Sequence, residues 1–205
     1  MIRIVACGVG NIRAFLNAYT AMNIAVGVAT RAADLADANH ILLPGVGSFG
    51  WAMSRLTASG MRDALDELVL VKGRPVLAVC VGMHILGRAS EEGSGTGLGW
   101  IDATVRKFTV DNGAVRRMPL PHMGWNDVTV RHDTDLFRGL EPDARFYFLH
   151  SYCVVARNSD VVLATSEYSG TFASAIQQRN IYGVQFHPEK SHAWGERVLR
   201  NFACS

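Results

Sequence analysis

The sequence lacks the features that mark several large classes of protein. Its 205 residues contain no hydrophobic run long enough to cross a membrane as a helix, and no run of basic residues. The formal net charge is only +2, and Arg116-Arg117, the densest basic spot, is typical of a solvated surface. We therefore expect neither a membrane nor a nucleic acid as the main partner. With no internal repeat or low-complexity linker, one domain over 1–205 is predicted.

Cysteine is scarce, and its pattern is uninformative at most positions. The four cysteines, at 7, 80, 153 and 204, form no CxxC pair and no spacing typical of metal ligands, so we predict no metal and no cofactor. Cys153 and Cys204 fit the common case of a small buried hydrophobe. The first residues resemble a strand and not a secretion signal, which favours a reducing cytoplasm.

The first half of the sequence alternates between strand and helix patterns. Strands are predicted over 2–6, 25–29, 40–43 and 75–79, with helices over 11–23, 48–58, 61–71 and 81–89 and a brief helix over 32–38. This alternation predicts an α/β fold with a largely parallel sheet and helices on both faces. Glycine-bearing loops at 7–11, 44–47 and 80–82 follow three of these strands. They should meet at the edge where parallel strands have their carboxyl ends.

The second half has a different pattern. Strand-like alternation occupies 100–110, 126–130, 145–155, 161–166 and 172–185, and a single helix is predicted over 193–203. The segment 91–97 has the composition of a flexible loop. We expect these strands to be antiparallel additions to the same sheet, without a second domain.

Cys80 differs from the other cysteines in its sequence context. The apolar run Val76-Leu77-Ala78-Val79 stops at Cys80, and small residues stand two positions away on either side, at Ala78 and Gly82. This spacing is typical of a strained turn from a buried strand into a helix, which exposes a nucleophile. Because a thiol at a helix N-terminus ionises more readily, Cys80 is the candidate nucleophile.

A thiol nucleophile needs a base, and the base needs an orienting group. Among seven histidines, His187 is the best candidate because it follows a predicted strand that ends at Phe186. Glu189, two residues later, can turn its carboxylate towards the imidazole and fix the tautomer. By itself, His-Pro-Glu is usually only a turn, so this assignment depends on the simultaneous presence of Cys80.

Acyl chemistry also needs donors for a tetrahedral oxyanion. The backbone N–H of Val81, directly after the nucleophile, is one candidate. The other is the loop Pro44-Gly45-Val46-Gly47, whose glycines allow unusual peptide orientations and close approach of substrate. A plain tight turn after a strand would explain that loop equally well if Cys80 were absent.

Taken together, these segments resemble the class I glutamine amidotransferases, which have a flavodoxin-like mixed sheet. Three matching elements occur in chain order: an oxyanion strand at 44–47, a nucleophile elbow at 80–83, and a base with its orienter at 187–189. The match narrows to the glutaminase subunit of imidazole glycerol phosphate synthase. It rests on Gly8-Val9-Gly10-Asn11-Ile12, Pro44-Gly45-Val46-Gly47-Ser48-Phe49, His122-Met123-Gly124-Trp125-Asn126, Tyr147-Phe148-Leu149-His150-Ser151-Tyr152 and Gln185-Phe186-His187-Pro188-Glu189-Lys190-Ser191.

The resemblance implies hydrolysis of glutamine to glutamate and ammonia through a thioester on Cys80. His187 would act as base and then acid, with Glu189 as orienter, while His84 and Ser151 would join the oxyanion loop in binding substrate. The ammonia would pass to a (β/α)8-barrel synthase in a heterodimer of histidine biosynthesis. The resemblance places the interface at Asn11, Arg13, Met123, Trp125, Asn126, Tyr147 and Lys190.

The sequence departs from this family at two places near the site. His84 stands where glutamine is usual, and Ala6-Cys7-Gly8 replaces a usual Asp-Tyr-Gly. Such changes leave alternatives open. A paralogous glutaminase could supply ammonia for amidation of a surface-polysaccharide sugar, a weakly active or inactive subunit could serve as a scaffold, and another cysteine–histidine hydrolase, such as a peptidase, could share the fold.

Overall fold

The computed structural model describes residues 1–108, 118–140 and 143–205. In its first half, strands and helices alternate as the sequence predicts. The elements are β1 (Ile2–Val5), α1 (Ile12–Ala21), β2 (Val26–Ala29), β3 (His40–Gly45), α2 (Phe49–Ala58), α3 (Arg62–Asp66), β4 (Val76–Cys80) and α4 (Val81–Ile85), with a 3-10 turn at Ala32–Leu35 and a π-helical turn at Glu67–Val71.

The second half consists mostly of strands. Its elements are β5 (Ala89–Ser90), β6 (Ala103–Lys107), β7 (His122–Asp127), β8 (Thr129–Val130), β9 (Arg145–His150), β10 (Tyr152–Ala156), β11 (Val162–Glu167), β12 (Thr171–Gln178), β13 (Ile181–Val184) and α5 (His192–Ala203), with 3-10 turns at Asp135–Phe137, Ser159–Val161 and Pro188–Lys190.

The main sheet is mixed and largely parallel. Its strand order is β2-β1-β3-β4-β13-β12-β11-β8. The first five strands are parallel to one another, and from β13 onwards each strand is antiparallel to the one before it in this order. All residues of the central strand β4 are buried, as expected for a strand with both faces covered. Helix α1 contacts α5, and α2 contacts α4. The predicted α/β class with helices on both faces is confirmed.

Not all strands of the second half join this sheet, which corrects the prediction. Strands β10, β6 and β5 form a separate three-stranded sheet, and within the described ranges β7 and β9 form a two-stranded sheet of their own. The predicted strand over 145–155 divides at Ser151, so that β9 and β10 find different partners. The predicted strand over 172–185 reverses at Arg179-Asn180, where Arg179 has a φ of 55°. Both breaks are single sharp bends inside continuous strand-like patterns.

The predicted helix over 81–89 is also shorter than expected. Helix α4 ends at Ile85 because the carbonyls at its end receive N–H groups from a distant loop instead of from a further helical turn. Leu98 N donates to Ile85 O at 2.8 Å, and Ile101 N donates to Leu86 O at 3.1 Å. The predicted strand over 100–110 is correspondingly shortened to β6, and residues 109–117 lie outside the described ranges.

The three predicted glycine loops meet at one edge of the sheet. They follow β1, β3 and β4, which are adjacent and parallel. A Cβ atom added to Gly10 would lie 2.9 Å from the Cβ of Pro44, so the first two loops are in contact. The third loop touches the second, because a Cβ atom added to Gly45 would lie 2.4 Å from the backbone nitrogen of Gly82. None of the helices in the described ranges has the length and apolar character of a membrane span.

Candidate active site

Cys80 lies at the sharp turn that the sequence predicts. It ends β4, and α4 begins at the next residue with no intervening loop. Its backbone has φ 55° and ψ −114°, a conformation that non-glycine residues rarely adopt and that is concentrated at functional sites. A Cβ atom on Gly82 would lie 2.1 Å from the carbonyl oxygen of Leu43, so only glycine fits there. The elbow is therefore pressed directly against β3.

The oxyanion loop lies beside this elbow. Gly45, at the end of β3, is the register partner of Cys80 in the parallel pairing with β4. A Cβ atom on Gly45 would lie 2.4 Å from the backbone nitrogen of Gly82, which explains the need for glycine at this position. Gly47 has a φ of 88°, and the Val46 side chain between them is 42% exposed. The loop thus contacts the turn that follows the nucleophile.

His187 and Glu189 form a buried pair. His187 follows β13, and its backbone N–H donates to Tyr147 O at 2.8 Å. Its Nδ1 lies 3.0 Å from Glu189 Oε1, and the two side chains are only 4% and 2% exposed. A ring that donates from Nδ1 to a carboxylate has Nε2 available to exchange a proton with a second group. The predicted orienting role of Glu189 is compatible with this geometry.

The environment of His187 favours its protonated form. Burial by itself would lower the pKa of His187, but hydrogen bonding and charge from Cys80 and Glu189 outweigh burial and raise it to about 10. Because Glu189 remains beside the ring, an imidazolium formed by proton transfer from a thiol would be stabilised.

These side chains meet in one cavity of about 260 Å³. Cys80 and His187 line it, and Glu189 lies behind His187. Five other residues that the sequence assigned to the oxyanion or substrate also line the cavity, namely Val46, Gly47, Val81, His84 and Ser151. Within the described ranges, no cluster of three or more His, Cys, Asp or Glu side chains is arranged to hold a metal ion.

His84 has a more specific environment than its sequence position indicated. Its side chain is 2% exposed, and its Nε2 lies 2.8 Å from Gln185 Oε1. Burial lowers the pKa of His84 to about 4, with the hydrogen bond to Gln185 opposing this only in part. The ring is therefore neutral at physiological pH. Direct contact between His84 and the substrate stays a prediction.

Sequence reasoning missed three residues of the site. Glu92 lines the cavity, and its Oε2 accepts a hydrogen bond from Phe49 N at 2.8 Å. Gln185 is fully buried beside Cys80. Ser191 donates to His187 O at 2.7 Å and accepts from Tyr147 N at 3.0 Å, so it ties the His187 turn to β9. Only the placement of Gln185 and Ser191 around the His-Pro-Glu motif could have indicated them.

The predicted partner residues divide into two groups. Met123 and Trp125 are 65% and 41% exposed on β7, and Lys190 Nζ lies 5.6 Å from the centre of the Tyr147 ring. Trp125 and Tyr147 are register partners across β7 and β9. These four residues therefore form one surface group, in which Tyr147 is half-buried and the other three are exposed, and which we call the Trp125 patch.

The other three predicted interface residues are not part of this patch. Asn11 and Arg13 are exposed at the start of α1, where the Asn11 side chain caps the helix by accepting from Ala14 N. Asn126 lies next to Trp125 in sequence, but its amide nitrogen points away from the patch and donates to Glu167 O at 3.0 Å. Alternation along a strand explains this separation, since adjacent residues face opposite sides.

Comparison with known proteins identifies the family of this chain. The model of the family "Glutamine amidotransferase class-I" matches residues 8–205. The imidazole glycerol phosphate synthase subunit HisH of Bdellovibrio bacteriovorus is 51% identical over 203 residues, covering 99% of each chain. The corresponding subunit of Leptospira interrogans is 46% identical with the same coverage, and the subunit HisH 2 of Pseudomonas aeruginosa is 40% identical over 98% of each chain.

Solved structures agree at the level of the fold. PurLQS from Thermotoga maritima has a TM-score of 0.74 at 16% identity, covering 98% of this chain and 96% of that one. A structure described as a glutamine amidotransferase has a TM-score of 0.72 at 19% identity, with the same coverage. The family model and the full-length relatives together establish that this chain belongs to the class I glutamine amidotransferases and, within them, to the HisH subunits of imidazole glycerol phosphate synthase.

Proposed function

We propose that this chain hydrolyses glutamine to glutamate and ammonia and delivers the ammonia to a synthase subunit of histidine biosynthesis. One observation carries the proposal: a cysteine on a strained elbow and a histidine bound to a buried carboxylate line a single cavity. Membership of the HisH family supports the proposed pathway, and the geometry of the site supports the proposed chemistry.

The first half of the reaction forms a thioester. His187 holds the proton that it has taken from Cys80, so the sulfur attacks the carboxamide carbon of glutamine as a thiolate, and the imidazolium is stabilised by Glu189. The oxyanion of the tetrahedral intermediate accepts hydrogen bonds from the Val81 N–H and from the loop at Val46. His187 then returns its proton to the amide nitrogen, the carbon–nitrogen bond breaks, and ammonia leaves.

The second half releases glutamate. Water replaces ammonia in the cavity, and His187 removes its proton as the oxygen attacks the thioester carbon. The same oxyanion donors stabilise the second tetrahedral intermediate, and the carbon–sulfur bond breaks to give glutamate and the thiolate of Cys80. His187 keeps this proton, so the site returns to the pair of thiolate and imidazolium in which it began. No cofactor is required, because the amide bond supplies the leaving group.

The cavity also fits the amino-acid part of the substrate. Glutamine carries an α-ammonium group, and the carboxylate of Glu92 lines the cavity with its Oε2 held by Phe49 N. A charge-assisted hydrogen bond between Glu92 and this ammonium would orient the carboxamide towards Cys80. Ser151, which also lines the cavity, is the proposed polar contact for the remaining atoms.

Coupling to a partner follows from the chemistry of ammonia. At neutral pH free ammonia is mostly ammonium, which is not a nucleophile, so transfer through a closed passage avoids this loss. We propose a heterodimer with a (β/α)8-barrel subunit that converts the ammonia into imidazole glycerol phosphate and an aminoimidazole carboxamide ribotide. The Trp125 patch is the proposed centre of the interface, because exposed aromatic and Met side chains are enriched in interface cores. Asn11 and Arg13 are its proposed periphery.

The position of the patch supports this arrangement. Met123 is the register partner of Leu149, and Leu149 borders the catalytic cavity together with Val46 and Lys190. The apolar surface therefore extends from the mouth of the cavity. A partner docked there would cover the mouth and collect the ammonia where it forms.

The test is to reconstitute the complex with the barrel subunit from the same organism and to compare wild type with Cys80→Ala. Wild type should form product with glutamine and with ammonium salts. Cys80→Ala should lose the glutamine reaction and keep the ammonium reaction, because only the thioester step is removed. Glutamine-dependent turnover by Cys80→Ala would overturn the assignment. Ammonia release without product in wild type would favour another acceptor, such as the sugar of a surface polysaccharide.

A further inference from the structure

Gln185 lies against the nucleophile although neither the sequence nor the reaction scheme assigns it a role. Strands β4 and β13 are parallel, with Val79 opposite Val184, so the next residues along the two strands are Cys80 and Gln185. The Gln185 Nε2 lies 3.8 Å from Cys80 Sγ, and the residue is fully buried. Its backbone N–H donates to Ser174 O at 2.9 Å, and this hydrogen bond ties Gln185 to the neighbouring strand β12.

His84 determines which end of the Gln185 amide faces the sulfur. It stands four residues after Cys80, and its Nε2 lies 2.8 Å from Gln185 Oε1. Its Nδ1 is buried without a hydrogen-bond partner among the described residues. A proton on Nδ1 would be a buried donor without a partner, so the single proton of the neutral ring is assigned to Nε2, which donates to Gln185 Oε1. The Oε1 of Gln185 is thereby occupied, and its NH2 group is turned to Cys80.

Among the described residues, one other group lies within hydrogen-bond distance of the sulfur, and it is an acceptor. Leu149 O lies 3.9 Å from Cys80 Sγ and can accept the thiol proton, but it cannot stabilise a thiolate. The other titratable side chains that line the cavity are Glu92, His150, Tyr152, His187 and Lys190. Of these, His187 carries the reacting proton. Gln185 is a neutral donor whose hydrogen bond does not depend on that proton, and among the described residues its amide is the side-chain donor within hydrogen-bond distance of the sulfur.

We propose that Gln185 is a catalytic residue that donates a hydrogen bond to the thiolate of Cys80, and that His84 is a positioning residue that holds the Gln185 amide in this orientation. This inference rests on the proposed function, in which Cys80 is the nucleophile. The thiolate occurs twice in the reaction, when it attacks glutamine and when it leaves the second intermediate. A donor to sulfur favours both steps.

The inference also explains why histidine is compatible with position 84. Histidine and glutamine side chains can both present an N–H to Gln185 Oε1, so the usual family residue and His84 can do the same work. A residue without a donor would leave the buried Gln185 oxygen unpaired and free the amide to turn. The departure at position 84 then need not weaken glutamine binding.

The test is the pH dependence of Cys80 alkylation by iodoacetamide in the full-length protein, because the thiolate is the reactive form. Peptide mass spectrometry separates Cys80 from Cys7, Cys153 and Cys204. The variants are Gln185→Met, which removes the donor at similar length, and His84→Met, which removes its support. His84→Gln is the conservative rescue. Ser174→Ala is the matched control, since its buried hydroxyl has no partner among the described residues.

Loss of one charge-assisted hydrogen bond should raise the pH midpoint of alkylation by about one unit in Gln185→Met. Cys80 would then react about tenfold more slowly below the midpoint. His84→Met should move the midpoint in the same direction, whereas His84→Gln and Ser174→Ala should stay near wild type. An unmoved midpoint in folded Gln185→Met overturns the inference. If that variant does not fold, the isosteric Gln185→Glu replaces the donor by an oxygen and must raise the midpoint.

Glutaminase kinetics of the complex separate a role towards sulfur from a role towards substrate. If His84 positions Gln185, His84→Met lowers kcat with little change in KM. If His84 mainly binds glutamine, the variant raises KM and leaves the alkylation midpoint unchanged, which contradicts the inference. Alkylation requires neither glutamine nor the partner subunit, so it tests the role of Gln185 independently of turnover. A complete lack of glutaminase activity would contradict the proposed function, but the alkylation midpoints could still be compared.

Discussion

His84→Gln should make the folded protein more resistant to acid. His84 is 2% exposed and donates from Nε2 to Gln185, so folding holds it in its neutral form. Glutamine can preserve the hydrogen bond but does not titrate. The substitution therefore removes one specific contribution to acid denaturation and tests the protonation state on which the assignment of Gln185 depends.

The magnitude follows from the difference between the folded and unfolded pKa values. The pKa of His84 is lowered to about 4 by burial, against 6.5 for an ordinary histidine. Between these values the unfolded chain binds a proton that the folded protein does not, so stability falls as the pH drops from about 6.5 to about 4. This contribution is close to zero at pH 7 and reaches about 2 kcal/mol of destabilisation at pH 5.

The assay is reversible urea unfolding of wild type and His84→Gln at pH 7 and pH 5 under reducing conditions. Each protein loses some free energy of unfolding at pH 5, because other buried histidines also titrate. Their contributions cancel in the difference between the two losses, which should be smaller for His84→Gln by about 2 kcal/mol. Equal losses would show that His84 is not held neutral and would refute the reasoning.

Three further substitutions test other parts of the account. Glu189→Gln removes the charge behind His187, so the rate of ammonia release should fall about a hundredfold or more. The pKa of His187, followed by NMR, should also fall. An unchanged rate would contradict the orienting role of Glu189. Gly82→Ala places a Cβ 2.1 Å from a backbone carbonyl and should destabilise the fold by about 2 kcal/mol or more in urea unfolding; wild-type stability would contradict the close contact. Trp125→Ala should weaken the affinity for the partner, measured by calorimetry, about tenfold or more. Leu70→Ala, at a similarly exposed apolar residue elsewhere, should leave this affinity unchanged. Equal effects of the two substitutions would contradict the assignment of the interface.

The parallel half of the fold and the nucleophile elbow could be predicted because their determinants are local. The apolar run before Cys80 and the small residues around it report directly on a buried strand and a crowded turn. Gly45 and Gly82 are required by contacts between strands that the alternation already places side by side. Motifs at the ends of adjacent parallel strands must also meet at one edge.

The second half was less predictable because partner choice depends on distant residues. The bend at Ser151 lies inside a continuous strand pattern, yet it sends β9 and β10 to different sheets. The pairing of His84 with Gln185 spans 101 residues and is invisible to any local pattern. Glu92 lies in a segment whose composition indicates only a loop, and its contact with Phe49 appears only after the chain is folded.

The central claim is that Cys80 carries the acyl group of glutamine during turnover. The most direct measurement is to mix isotopically labelled glutamine with the reconstituted complex, quench with acid during steady state, and identify the modified peptide by mass spectrometry. The account predicts one labelled γ-glutamyl group on the peptide that contains Cys80, lost on treatment with hydroxylamine, and none on the peptides of Cys7, Cys153 and Cys204. Steady ammonia release without any label on Cys80, or label on another cysteine, would contradict it.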